Sequence, residues 1–361
     1  GEFPDLCAGP HLDSTGRIKG NGIKLMNGVG EKMDDALQAE LEAFIDGDPA
    51  YLPWATEGKV GKTIDFYSGR NRYIGYLTSL PSRSFEKHKV GLDCANGSSW
   101  MIGRAVFDAL GAKTYVINDQ PDGVNINTDC GSTHIEGLQL YVREHHLDVG
   151  FAFDGDADRC LAVDEKGELI DGDMIMAILA QRFAAEGKLR GNMFIPTIMS
   201  NMGLFKFAEE NGFNCYPTKV GDRYVLETML RTGARLGGEQ SGHMILIDYM
   251  PTGDGELTGL LLAETLLLSG KKASELKGIM TVYPQVMINI SATPEMKEHL
   301  SDPEGKSYID IETQRLNGDG RILVRPSGTE PIIRVMIEGR DKDKIQKLAE
   351  ECAETLQNIL K

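Results

Sequence analysis

The sequence lacks the features that mark several classes of protein. It has no run of basic residues, and 38 Lys and Arg against 54 Asp and Glu give a formal charge of −16, which argues against a nucleic-acid partner. Its longest apolar stretch, residues 257–268, is interrupted by polar residues and is too short to span a bilayer, so it predicts a buried helix and no membrane partner. No signal peptide is recognisable. The six cysteines show neither C-x-x-C spacing nor the density of a disulfide scaffold, so we expect reduced thiols and a cytoplasmic location.

The length of 361 residues and the strand–turn–helix rhythm predict a multidomain α/β protein. Two similar α/β domains are expected, followed by a smaller α+β domain with one terminal amphipathic helix. The first residues show no periodicity and many turn formers, so they look like a non-native leader. The predicted division is a leader at 1–20, the remnant of a first α/β domain at 21–85, α/β domains at 86–172 and 173–275, and an α+β domain at 276–361.

The most informative motif is AFDGDADRC at 152–160, where an apolar strand leads directly into Asp154, Asp156, Asp158 and Arg159. Three alternate carboxylates in one loop can converge on a hard cation such as Mg²⁺, and open α/β sheets bind ligands at the carboxyl ends of their strands. A solvated acidic turn is the simpler alternative, because D-G and D-A-D are common in turns. A D-x-D aspartyl-phosphate phosphatase is a rival, but its accompanying Thr and Lys signals do not match.

A second motif, RPSGTEP at 325–331, lies between two predicted strands. Arg325 and Arg334 could grip phosphate oxygens, Ser327 and Thr329 add hydroxyl donors, and Gly328 lets backbone N–H groups approach an anion. A Pro-Ser-Gly hairpin with incidental arginines explains the same residues equally well.

A third motif, LGGEQSGHMI at 236–245, places Glu239, Ser241 and His243 at alternate positions, which share a face if the segment is extended. Such a face would bind the hydroxyls or amine of a sugar, although a lone His in a strand is more often structural.

Two further loops lie near predicted helix starts. TKVGDRY at 218–224 offers Asp222 and Arg223 around a Gly turn, either as substrate contacts or as a simple helix cap. The loop at 121–134 contains Cys130 before a helix, but no basic group beside it indicates a nucleophile.

Taken in order, FDGDADR, GEQSGH and RPSGTEP resemble the α-D-phosphohexomutases, four-domain enzymes with a central cleft. The C-G-S-T-H loop and the form R-P-S-G-T-E-P are similar to the phosphoglucosamine mutase branch. The resemblance covers about residues 21–361. It implies a phosphohexomutase-like fold, with a C-terminal layer like that of the TATA-box-binding protein. It also implies Mg²⁺-dependent interconversion of glucosamine 6-phosphate and glucosamine 1-phosphate through a phosphoserine and a bisphosphate intermediate.

The resemblance also implies roles for individual residues. The metal ligands would be Asp154, Asp156 and Asp158, and Arg159 and Lys24 would be catalytic residues, Lys24 standing beside the phosphoserine loop. The substrate-binding residues would be Asp222, Arg223, Glu239, Ser241, His243, Arg325, Ser327, Gly328, Thr329 and Arg334. Mg²⁺ is the expected cofactor and a small-molecule sugar phosphate the expected partner, with a homodimer as the assembly considered.

One part of the family pattern is missing from the sequence. The family carries its phosphoserine in a motif like S-A-S-H-N-P just before D-N-G-I-K, whereas LDSTGRIKG precedes Asn21 here. Ser14 stands at about the right offset, but the His, Asn and Pro are absent. We therefore expect most of the first domain to be lacking and the chain not to turn over, because phosphoryl transfer would have no donor.

Two other functions remain open at this point. The chain could act on mannose or glucose phosphates, since the choice between an amine and a hydroxyl depends on a few polar contacts. It could also be a non-catalytic sugar-phosphate-binding or interaction fragment.

Overall fold

The computed structural model describes residues 33–47, 55–56, 60–61, 66–300, 302–316, 318–327 and 331–360. The described residues divide into two compact units, which we call unit 1 (those within 33–199 and 213–279) and unit 2 (those within 200–212 and 280–360). The segment 200–212 therefore groups with the C-terminal residues, although the sequence pattern assigned it to 173–275. Within the described part of the chain, no helix is both long and apolar enough to cross a membrane.

The first sheet of unit 1 is formed by five strands in the order β2-β1-β3-β4-β5. The first three strands run parallel, and β4 and β5 add an antiparallel hairpin. All five residues of the central strand β3 are buried, as expected for an apolar run in a sheet with both faces covered. The strands are β1 (Lys89–Asp93), β2 (Lys113–Ile117), β3 (Val149–Phe153), β4 (Cys160–Asp164) and β5 (Leu169–Ile170), and the helices of this part are α1 (Asp35–Ile45), α2 (Tyr67–Ser79), α3 (Ile102–Ala109) and α4 (Glu136–His145).

The second sheet of unit 1 has the order β10-β9-β8-β6-β7, again with a parallel core and an antiparallel edge. The predicted buried helix is confirmed as α8, in which the residues from Gly255 to Leu266 are all buried. The strands are β6 (Met193–Ile195), β7 (Asn214–Cys215), β8 (Leu236–Gly238), β9 (Met244–Leu246) and β10 (Met250–Gly253), and the helices are α5 (Gly172–Ala185), α7 (Asp222–Thr232), α8 (Gly255–Ser269) and α9 (Ala273–Lys277).

Unit 2 packs helices against a three-stranded antiparallel sheet of order β11-β13-β12. Its apolar core joins the buried side chains of β11 and β13 to one face of the last helix. Asn201, which caps α6, donates to the buried carboxylate of Glu338 in β13, and Arg321 pairs with the same carboxylate. The elements are α6 (Met202–Glu210), β11 (Gln285–Ser291), α10 (Pro294–His299), α11 (Pro303–Arg315), β12 (Gly320–Pro326), β13 (Ile332–Gly339) and α12 (Lys342–Ile359).

Candidate active site

The acidic loop at 154–159, which we call the metal loop, begins directly after the carboxyl end of β3. One carboxylate oxygen from each of Asp154, Asp156 and Asp158 lies within 4.8 Å of the others. Burial, followed by the charges of Asp158 and Asp156, raises the pKa of Asp154 to about 7. The backbone N–H of Arg159 donates to Asp154 Oδ1 at 3.1 Å, and its Nε lies 3.8 Å from Asp154 Oδ2. The crowded carboxylates form an oxygen-rich site suited to a hard divalent cation.

Two neighbouring segments hold the metal loop in place. Ser98 N–H donates to the carbonyl of Gly155, and Gly255 N–H donates to the carbonyl of Ala157, each at 2.9 Å. Ala157 itself has a left-handed backbone with φ of 57°, so the contact with Gly255 supports a conformation that is costly for a non-glycine residue. A Cβ on Gly255 would lie 2.3 Å from the Arg159 carbonyl, so only Gly fits there.

The motif at 236–245 forms a tight hairpin turn between β8 and β9, and the extended segment considered from the sequence is not formed. Glu239 N–H donates to the His243 carbonyl, and Gly242 N–H donates to the Glu239 carbonyl, both at 3.0 Å. The three side chains therefore do not alternate along one strand face. Ser241 is exposed, Glu239 is half-buried and His243 is buried, because the Q-S-G sequence turns the chain back on itself.

The imidazole of His243 lies between the metal loop and the start of α7. Its Nδ1 is 3.6 Å from Asp158 Oδ2, and its Nε2 is 3.6 Å from Asp222 Oδ2. The Glu239 carboxylate accepts a hydrogen bond of 2.9 Å from the backbone of Gly221, whose φ of 127° makes the turn into α7. Two loops that are separate in sequence therefore meet beside the carboxylates.

Arg223, predicted to bind substrate, pairs with Glu227 one turn further along α7, at 2.8 Å. This pair lies on an exposed helix face and follows the ordinary i,i+4 spacing. In the structure Arg223 is thus engaged on its own helix, whereas Asp222 faces His243.

In unit 2, Arg325 of β12 lies directly opposite Arg334 of β13 in the strand register. Burial, and then the charge of Arg334, lowers the pKa of Arg325. Like charges directly opposite each other destabilise a sheet, and a bound anion at this position would offset that repulsion. Ser327 is buried, and its carbonyl accepts a hydrogen bond of 2.7 Å from Lys297 Nζ on α10.

Three predicted site residues, Lys24, Gly328 and Thr329, lie outside the described residues, as does the leader at 1–20. Sequence reasoning missed Lys297 as a contact of Ser327, because nothing in the local sequence of Lys297 points to that residue. It also missed Gly255, although the D-G pair before a long apolar run is a recognisable helix-cap signal.

Comparison with known proteins places this geometry in a family. The phosphoglucomutase/phosphomannomutase family matches over three successive segments: α/β/α domain II at 71–167, α/β/α domain III at 171–283 and the C-terminal domain at 273–355. A phosphoglucosamine mutase from Lachnospira eligens is 51% identical over 94% of this chain and 75% of its own length. The chain belongs to the phosphoglucosamine mutases, within the α-D-phosphohexomutase superfamily. Another phosphoglucosamine mutase, from Clostridioides difficile, is 46% identical over 95% of this chain and 77% of its own length.

Solved structures of distant phosphohexomutases share the fold. A phosphoglucomutase/phosphomannomutase family protein from Burkholderia thailandensis superposes with a TM-score of 0.70 at 20% identity, over 90% of this chain and 70% of that one. The Aspergillus fumigatus N-acetylphosphoglucosamine mutase, solved with GlcNAc-6P and magnesium, gives a TM-score of 0.65 at 20% identity over 82% and 66% of the two chains. These similarities confirm the predicted fold class.

Proposed function

We propose that this chain provides the metal, sugar and phosphate contacts for the reversible interconversion of glucosamine 6-phosphate and glucosamine 1-phosphate. The product would feed the synthesis of amino-sugar nucleotides and cell-wall precursors. The convergence of Asp154, Asp156 and Asp158 at the end of β3 carries the proposal. Membership of the phosphoglucosamine mutases supports glucosamine as the sugar. A cytoplasmic location and a homodimer belong to the same proposal.

The acidic triad would hold Mg²⁺. The fit of the site to a cation rests on the crowding of the three carboxylates. Burial and this crowding raise the pKa of Asp154, and a bound cation would relieve the repulsion between the carboxylates. When bound, Mg²⁺ would neutralise charge on a phosphoryl group during transfer. Arg159, two-fifths of whose side chain is exposed, adds a positive charge next to the triad. His243, between Asp158 and Asp222, would fix the orientation of one ligand.

A phosphosugar has a reacting end and a non-reacting phosphate, and the proposed contacts form one group in unit 1 and one in unit 2, each considered by itself. Glu239, Ser241 and Asp222, together with Arg223 once it leaves Glu227, would bind the sugar. Arg325, Ser327 and Arg334, together with Gly328 and Thr329, would bind the non-reacting phosphate. The cross-strand arginine pair supports this assignment, because a dianion offsets the repulsion of two opposed guanidinium groups.

The sugar preference can be tested by titrating the chain with glucosamine 6-phosphate, glucose 6-phosphate and mannose 6-phosphate in Mg²⁺ by calorimetry. We expect glucosamine 6-phosphate to bind most tightly, and Arg325→Met to weaken all three alike because the phosphate is common to them. Arg340→Met is the matched control, since Arg340 pairs only with the exposed Asp319 in the described chain. Tighter binding of mannose or glucose phosphate would overturn the glucosamine assignment.

Turnover is a separate question. The sequence contains no recognisable phosphoserine motif, so we expect no conversion of glucosamine 1-phosphate in Mg²⁺ with glucose 1,6-bisphosphate as activator. Measurable conversion would contradict this expectation. Lys24, which would stand beside a phosphoserine, is proposed as a catalytic residue only if such conversion is measured.

A further inference from the structure

Asp93 ends β1 and is fully buried at the carboxyl edge of the first sheet of unit 1. In the strand register it lies opposite Ala152 of β3, and the metal loop begins shortly after, at Asp154. A carboxylate in such a place is costly unless hydrogen-bond donors surround it. The proposed mutase function assigns no role to Asp93.

The Asp93 carboxylate accepts hydrogen bonds from two separate loops. Its Oδ1 accepts from the backbone N–H of Ala95 at 3.0 Å, in the segment 94–101 after β1, which we call the β1 loop. Its Oδ2 accepts from the backbone N–H of Gly131 at 2.9 Å, in the segment 118–135 after β2, which we call the β2 loop. The first bond is local, whereas the second spans 38 positions. One carboxylate therefore ties the two loops together.

Both loops contain left-handed backbone conformations. The angle φ is 51° at Ala95 and 47° at Asn96 in the β1 loop, and 57° at Asn127 and 50° at Asp129 in the β2 loop. This region is costly for residues other than glycine, and Ala95 lacks the polar side chain with which Asn and Asp compensate locally. Such backbone persists only where the surrounding structure fixes it. The hydrogen bond from Ala95 to Asp93 supplies that support in the β1 loop.

The β1 and β2 loops both contact the metal loop at Gly155, which stands between its first two aspartates. Ser98 N–H donates to the carbonyl of Gly155 at 2.9 Å, and a Cβ on Gly97 would overlap the same carbonyl. From the β2 loop, Asn127 Nδ2 lies 2.7 Å from the position that a Cβ on Gly155 would take. Asn127 N–H also donates to the carbonyl of Ala95 at 2.9 Å. A continuous set of contacts therefore leads from Asp93 through two loops to the metal loop.

We propose that Asp93 is a positioning residue for the metal loop. Its carboxylate holds the β1 and β2 loops in the arrangement that fixes Gly155, and it thereby sets how closely the three aspartates approach a cation. Both of its oxygens accept from backbone donors, so it acts through these loops and not as a metal ligand. Its effect on metal binding rests on the proposed Mg²⁺ site, whereas its effect on the loop does not.

Asp93→Asn in the full chain tests the proposal. The variant keeps the size of the side chain but replaces one acceptor by an amide NH2, which then faces the N–H of Ala95 or Gly131. In calorimetry we expect Mg²⁺ affinity to fall about tenfold, the lower end of the effect of residues that support metal ligands. In the metal-free protein, the two amides that donate to metal-loop oxygens, those of Ser98 and Arg159, should exchange with solvent about tenfold faster.

Asp164→Asn is the matched control. Asp164 is also fully buried, ends β4 of the same sheet, and accepts from the backbone N–H groups of Lys166 and Glu168 at 2.9 and 2.8 Å. It lies opposite Val149, the first residue of β3, and therefore at the other edge of the sheet from the metal loop. Asp164→Asn should leave Mg²⁺ affinity and both exchange rates unchanged, in conditions where urea unfolding shows that both variants are folded.

The outcomes separate this proposal from the proposed function. Unchanged Mg²⁺ affinity in Asp93→Asn, or an equal loss in Asp164→Asn, would overturn the positioning role. If the unaltered protein binds no Mg²⁺, the proposed function fails and the exchange rates decide the role of Asp93. Faster exchange confined to Asp93→Asn would then support the role, and equal exchange in the two variants would overturn it.

Amide exchange of the unaltered protein tests the same link without any variant. The amides of Ala95, Gly131 and Ser98 should open as one unit, with protection factors within about fivefold of one another, because Asp93 couples their loops. A larger difference between Ala95 and Gly131 would show that the two loops open independently, which contradicts the proposal.

Discussion

Replacing Tyr73 by Phe should weaken Mg²⁺ binding, although Tyr73 lies on α2 and does not belong to the metal loop. Its hydroxyl lies 2.8 and 2.7 Å from the two carboxyl oxygens of Asp254. Asp254 caps α8 by accepting from Leu257 N–H, and the next residue, Gly255, holds the carbonyl of Ala157 between two of the proposed ligands. Loss of the hydroxyl therefore loosens the support of the metal loop.

The expected loss of Mg²⁺ affinity follows from the burial of the Tyr73–Asp254 hydrogen bond. Asp254 is 8% exposed, and burial raises its pKa. A hydrogen bond to a charged group contributes about 1.5–3 kcal/mol, and supporting residues behind metal ligands typically change metal affinity by about 10- to 100-fold. Because Tyr73 acts through Asp254 and Gly255, we expect about a tenfold loss of Mg²⁺ affinity, the lower end of that range.

Tyr76 provides a matched control on the same helix. Its hydroxyl donates to the carbonyl of Tyr249 at 2.7 Å, away from the metal loop. Tyr76→Phe should cost about 0.5–1.5 kcal/mol of unfolding free energy and leave Mg²⁺ affinity unchanged. Calorimetric Mg²⁺ titration and urea unfolding of both variants separate the two effects. Equal Mg²⁺ affinity in Tyr73→Phe and Tyr76→Phe would refute the reasoning.

Three further predictions concern carboxylates, one exposed in the metal loop and two buried. Asp156→Asn should weaken Mg²⁺ binding at least about tenfold in calorimetry, because it replaces a charged carboxylate ligand by a neutral amide. Glu256→Gln should stabilise the protein more at pH 9 than at pH 5 in urea unfolding. Burial raises the pKa of Glu256 well above its ordinary 4.5, so the folded state retains the proton and loses stability as pH rises above that value. Glu338→Gln should destabilise unit 2 by about 3 kcal/mol, because it removes the buried negative charge that pairs with Arg321. The control Asp319→Asn, at an exposed ion pair, should cost less than about 1 kcal/mol.

Each of these predictions has a contradicting result. Unchanged Mg²⁺ affinity in Asp156→Asn would remove that residue from the site. A pH-independent effect of Glu256→Gln would mean that the carboxyl does not titrate differently on folding. Equal unfolding free energies for the Glu338 and Asp319 variants would show that burial of the first pair does not matter.

Local sequence pattern was sufficient for the fold class and for the metal loop. The apolar residues of β3 predict a buried strand, and a loop after such a strand must emerge at the carboxyl edge of the sheet. The three alternate aspartates are close together in the chain, so their convergence could be predicted, although the contacts of Ser98 and Gly255 that hold the loop could not. Strand periodicity and local spacing carry this information because both features depend on residues close in the chain.

Contacts between residues distant in the chain could not be predicted from local sequence pattern. Tyr73 and Asp254 are separated by 181 positions, and nothing in either neighbourhood indicates the other. The turn at Glu239 was also missed as a turn, because alternate polar residues fit both a strand and a hairpin until the partner strand is known. The grouping of α6 with unit 2 involves contacts such as that between Asn201 and Glu338, which spans 137 positions.

The central claim is a phosphosugar site that depends on a divalent cation. Its most direct test is calorimetric titration of the full chain with glucosamine 6-phosphate, first in Mg²⁺ and then after chelation with EDTA, with Asp154→Asn measured in parallel. The account predicts one-to-one binding that weakens on chelation, and weak binding in the variant with or without Mg²⁺. Binding of equal strength in all of these conditions, or no binding in any of them, would contradict it.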